Sequence, residues 1–155
     1  MKRLLYVCSL VVMLAGLGAC EKDDAEPQAP VVGRWASDRV RIGGLPAAYA
    51  ADNGRELDAE DVFGLKVSFD LNADKTYKGT DRSGGTVDDF SGTWEYTGTE
   101  LTMKADDGNE DKLTYDEVKA QLLSEAIAVQ DSFINPTSKK PELVRFNLQI
   151  VYSRP

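Results

Sequence analysis

From Val31 onward, apolar residues recur every second position, not every third or fourth. Val67, Phe69 and Leu71 alternate with Lys66, Ser68 and Asp70. Phe90, Gly92, Trp94 and Tyr96 alternate with Asp89, Ser91, Thr93 and Glu95, and Leu101 and Met103 with Thr102 and Lys104. Near the end Val144, Phe146, Leu148, Ile150 and Tyr152 alternate with Arg145, Asn147, Gln149 and Ser153. A period of two puts one face of each segment in a core and the other in water, the pattern of antiparallel strands.

Between these runs lie Asn72-Ala73-Asp74-Lys75, Ser83-Gly84-Gly85 and Asp106-Asp107-Gly108-Asn109, residues that tolerate tight or left-handed backbone. The spacing predicts about eight strands, near 31–41, 62–71, 75–82, 88–97, 100–105, 111–117, 126–132 and 143–153. The expected fold class is all-β, a small antiparallel up-and-down barrel, because closing eight strands removes exposed edges. Two segments fit less well. Asp116 to Gln130 reads either as a helix rich in Ala, Leu, Glu and Lys, or as a loop and a strand over its second half. Gly43 to Asp61 reads as a long loop with a helical turn at Asp58 to Val62.

The first thirty residues follow a different pattern. Lys2 and Arg3 precede an uncharged run from Leu4 to Ala19. Sixteen residues are short for a bilayer-spanning helix, which needs about 20, and suit the core of a signal peptide. The run ends in Leu17-Gly18-Ala19-Cys20, which resembles the lipobox read by the lipoprotein signal peptidase. That resemblance implies cleavage before Cys20 and lipid on its thiol, with two or three acyl chains, each buried CH₂ contributing roughly 0.8 kcal/mol, holding the protein on a membrane. Residues 21–30 carry charges, two prolines and no large apolar side chain, an extended spacer reaching roughly 30 Å at about 3.3 Å per residue. Within it, Lys22-Asp23-Asp24 resembles the export signal of surface lipoproteins in Bacteroidota; a generic periplasmic spacer is the alternative. The expected organisation is therefore a signal peptide at 1–19, a lipidated Cys20 with its acidic linker at 20–30, and one domain at 31–155. The expected location is the outer membrane, on its cell-surface side.

Charge and chemistry narrow the function further. Loss of residues 1–19 leaves 16 basic against 26 acidic residues, so nucleic acid and anionic headgroups are poor partners. The chain has no histidine, and Cys8 leaves with the signal, so the usual general base, zinc–thiolate sites and cysteine nucleophiles are missing. Asp70-x-Asn72-x-Asp74 with Asp81 approximates a calcium loop, but Lys75 occupies the position that needs glycine, and a strand–turn–strand explains the same residues. No metal, cofactor or enzymatic activity is expected.

The order Gly33-Arg34-Trp35, Phe69-Asp70-Leu71-Asn72-Ala73-Asp74-Lys75-Thr76-Tyr77, Gly92-Thr93-Trp94-Glu95-Tyr96 and Leu101-Thr102-Met103 resembles the lipocalin-like domain common in Bacteroidota lipoproteins. The resemblance covers most of 31–153. It implies that Trp35 closes one barrel end, with Gly33 permitting close packing and an arginine laid over the ring; Arg154 is the candidate, Arg145 the weaker one. Trp35, Phe69, Trp94, Tyr96, Phe146 and Tyr152 are the expected inward aromatics. They either fill the barrel, which their bulk favours, or line a pocket for a small apolar ligand with 43–61 as its lid. The leading expectation is ligand binding without catalysis. The alternative is an interaction module with a packed barrel, binding a protein or glycan through its loops or outer face.

Overall fold

A computed structural model describes residues 28–155. The signal segment, Leu17, Gly18, Ala19, Cys20 and Lys22-Asp23-Asp24 lie outside the described residues. Ten strands form one antiparallel sheet: β1 (Gly33–Gly43), β2 (Glu56–Asp58), β3 (Val67–Leu71), β4 (Thr76–Asp81), β5 (Asp88–Thr97), β6 (Glu100–Ala105), β7 (Glu110–Asp116), β8 (Gln121–Ser124), β9 (Ile127–Ile134) and β10 (Pro141–Ser153). Eight of them, in the order β1-β3-β4-β5-β6-β7-β8-β10, close through the β1–β10 pairing into a barrel. The up-and-down barrel of about eight strands expected from the period-two pattern is the observed fold.

The last strands depart from the expected set. The segment 126–132 was expected to complete the barrel, but β9 pairs only with β10, outside it. The vacancy between β7 and β10 is taken by the four-residue β8, from the segment that also reads as a helix. The Asp116 carboxylate caps a single turn there, which Ala120 ends before a helix can grow. It accepts hydrogen bonds from the backbone N–H groups of Val118 and Lys119, both at 3.0 Å, and Ala120 turns back with a φ of 52°.

β1 and β10 are the long strands, and each changes partner along its length. β1 pairs with β3 over Gly33–Ala36 and with β2 over Arg39–Arg41, on either side of a bulge between Ser37 and Arg39. β10 pairs with β8 at Val151–Tyr152 and with β9 over Pro141–Leu148. Beyond the barrel rim the two strands therefore continue as a four-stranded flap, β2-β1-β10-β9.

The segment 43–61 serves this flap. Ala47–Asp52 form a 3₁₀ turn, and Asn53 clips Leu45 by accepting from its N–H at 2.8 Å and donating to its carbonyl at 3.2 Å. A short helix, α1 (Ala59–Phe63), follows β2, capped by the Asp58 carboxylate and ended by Gly64 in the left-handed region.

The interior is correspondingly divided. Val31, Trp35, Leu71, Trp94, Leu101 and Leu122 anchor the barrel core. Ile42, Leu45, Tyr49, Val144 and Phe146 form a separate cluster under the flap, with Phe133 stacked edge-on between Tyr49 and Phe146. Phe146, expected inside the barrel, belongs to this second cluster. The alternation that marks it as inward runs unbroken along β10 from barrel to flap.

Candidate functional site

One end of the barrel is solid. Trp35 is fully buried and donates from Nε1 to the Val31 carbonyl at 2.7 Å. The Arg154 guanidinium lies over its ring, 4.7 Å from the centroid, and donates to the Pro30 and Val32 carbonyls. Gly33 makes this seat possible: its φ is 128°, and a Cβ there would strike the Arg154 guanidinium. Trp94 is held in parallel fashion. Its Nε1 is shared between the Asn72 and Thr76 carbonyls, and the Lys75 ammonium stands 4.0 Å from the ring centroid. Tyr115 stacks edge-on against both Trp35 and Tyr96, filling the remaining space.

The Asn72–Thr76 turn explains the residues that resemble a calcium loop. The Asp74 carboxylate accepts from both the hydroxyl and the N–H of Thr76, and these bonds hold it below its ordinary pKa. Lys75 takes the left-handed conformation, φ 68°, which carries its ammonium over Trp94. Among the described residues no group of three or more acidic, Cys or His side chains could hold a metal ion.

The other end is hollow. A cavity of about 470 Å³ opens there, walled by Val67, Phe69, Phe90, Met103, Ile150 and Tyr152. Its volume falls in the range of about 300–1,000 Å³ typical of small-molecule sites. Phe69 and Tyr152 meet edge-on at 5.2 Å, forming one aromatic wall. Phe90 forms another, and Gly79 places it: the two are cross-strand partners, and a Cβ at Gly79 would fall inside the phenyl ring. The exposed residues Glu110, Asp111, Lys112, Glu125 and Ile127 stand at the mouth. Burial chiefly, and then the charges of Asp111 and Asp81, push the Tyr152 hydroxyl up to about 12.

The six expected aromatics therefore have three destinations. Trp35, Trp94 and Tyr96 pack the closed end, Phe69 and Tyr152 line the cavity, and Phe146 lies under the flap. Phe90, Met103, Val67 and Ile150 complete the wall. All four stood on the apolar side of an alternating run, which was the available signal. The segment 43–61 contributes nothing to the cavity lining; it is drawn instead onto the flap, where Tyr49 is buried and donates to Glu142 at 2.7 Å.

No curated protein and no solved structure matches the chain. A family model, that of the lipocalin-like domain, matches residues 31–124, from the lead-in to β1 through β8. The matched stretch holds seven of the eight barrel strands, both Gly-x-Trp motifs and most of the cavity wall; only β10 comes from outside it. By that match, and by the closed barrel it describes, the chain belongs to the lipocalin-like domain family.

Proposed function

We propose that this protein is a non-enzymatic, lipid-anchored lipoprotein of the outer membrane, facing the cell exterior, whose barrel holds a small apolar ligand. The observation that carries the binding role is the apolar cavity at one end of a barrel that is solid at the other. Such a shape sequesters a ligand and releases it through the same mouth. Anchorage rests on Leu17-Gly18-Ala19-Cys20, and surface exposure on Lys22-Asp23-Asp24. No helix among the described residues is long and apolar enough to cross a membrane. In this reading residues 1–19 are removed, 20–30 form the tether and spacer, and 31–155 form the working domain.

Titration with the neutral fluorophore N-phenyl-1-naphthylamine tests the binding role. One saturable site per chain is expected, lost when Ile150→Trp fills the cavity. The absence of a saturable site would refute it. Cys20→Ala should release the protein from membranes, and protease added to intact cells should digest the domain.

A second reading, an interaction module, draws on the outer face of the flap. Leu143 and Ile134 are 71% and 61% exposed there. Loss of partner capture on Leu143→Lys, with the fluorophore site intact, would favour it.

A further inference from the structure

We propose that the cavity takes a single-chain amphiphile with a cationic head, the chain inside the barrel and the ammonium group among carboxylates at the mouth. This deepens the apolar-ligand reading above and rests on it. The strand register supplies the argument. Asp111 pairs with Met103, a cavity-wall residue, so its carboxylate is on the inward face at the rim of β7. Asp81 pairs with Val67, another wall residue, and also with Asp88, which puts two further carboxylates on the inward face at the ends of β4 and β5. Like charges directly opposite one another on neighbouring strands are destabilising; here the Asp81 carboxylate accepts from the Ser83 N–H and the Asp88 carboxylate from the Thr86 hydroxyl. Glu125, just past β8, lines the mouth as well.

Of the basic groups described at this end, Lys112 alone reaches the cavity edge. Lys112 belongs to the outward face of β7 and stands 3.6 Å from Glu100. Lys66 is bound to Glu60 at 2.7 Å, and Arg82 lines a separate groove with Arg34 and Lys66. The negative field reaches the cavity wall, since Asp111 and Asp81 are the charges that add to burial in raising the Tyr152 hydroxyl. A low-dielectric wall beside a mouth where Glu110, Asp111 and Glu125 outnumber Lys112 concentrates cations at the opening. An anionic head there would meet the same field as repulsion. A fatty carboxylate is therefore the wrong ligand, although its chain would fit.

Three ten-carbon amphiphiles below their micelle concentrations separate the head from the chain: decyltrimethylammonium, 1-decanol and decanoate, titrated at pH 7.5 into residues 28–155, which contain the entire closed sheet and both cores. Decyltrimethylammonium is expected to bind at least about tenfold more tightly than decanoate at low ionic strength. The ratio should contract in 0.5 M salt as the Debye length falls to a few ångströms. Asp111→Asn should weaken the ammonium about threefold and leave decanol unchanged; Asp81→Asn provides a second variant. Equal or reversed affinity for decanoate overturns the inference, as does failure of the ammonium to bind a cavity that still takes N-phenyl-1-naphthylamine. If the neutral fluorophore and decanol also fail to bind, the apolar-ligand reading falls with it.

Discussion

The two ends of this barrel are built from the same strands and the same alternation, yet they spend their aromatic residues differently. At the closed end, two tryptophans donate hydrogen bonds to backbone carbonyls and each carries a cation over its ring. At the open end Phe69, Phe90 and Tyr152 stand against the wall and leave a cavity of about 470 Å³ between them. The difference lies in what covers each end. The Val31 lead-in, the Asn72–Thr76 turn and Arg154 plug one opening, whereas the flap that grows from the other carries its apolar cluster away with it. A cavity of this kind arises where the fold stops covering its own core, on a foundation packed solid at the opposite end.

Substitutions at the two ends should therefore separate stability from binding. The largest effect is expected from Trp35→Ala, which removes a fully buried ring and should cost about 3–5 kcal/mol in chemical denaturation. Raising the pH provides the next. Tyr152 titrates near 12 in the folded barrel and near 10 when unfolded, so its contribution is complete below pH 10 and is lost as the pH rises toward 12. About 2–3 kcal/mol should disappear over that window, and Tyr152→Phe should flatten the slope. Arg154→Ala should cost about 1–2 kcal/mol through the lost ring contact and carbonyl bonds, with ligand affinity unchanged. Ile150→Trp should do the reverse, abolishing fluorophore binding while changing stability by less than about 1.5 kcal/mol, because the new ring enters a void. Smallest is Tyr96→Phe. The Tyr96 hydroxyl is buried without a partner among the described residues, and its removal should stabilise the barrel by up to about 1 kcal/mol in thermal unfolding.

Much of the barrel was legible because its strands obey one period and its turns carry their own chemistry. Trp35 and Trp94 could be recognised from Gly-x-Trp, since glycine is needed where a guanidinium or a neighbouring strand presses on the backbone. The flap was not legible, for a physical reason. Val144, Phe146, Leu148, Ile150 and Tyr152 share one face whether the strand lies in the barrel or beyond it, so periodicity cannot mark the rim. On β1 the bulge after Ser37 shifts the parity, and Val40 and Ile42 replace the odd-numbered inward positions. β8 is only four residues long, too short for a period to declare itself. The rim carboxylates were hidden differently. Asp81, Asp88 and Asp111 each border a turn, where an acid ordinarily means solvation, and only their partners across the ladder place them on the inward face.

The pairing of β1 with β10 joins residues more than a hundred positions apart, from Ala36 with Ser153 to Gly43 with Asn147. The barrel cannot close until that last strand arrives, and the cost of bringing such distant segments together precedes any gain from their contact. Folding should therefore be slow and late. On the export proposed above, that delay would keep the first strand unlatched until the final one had crossed the membrane.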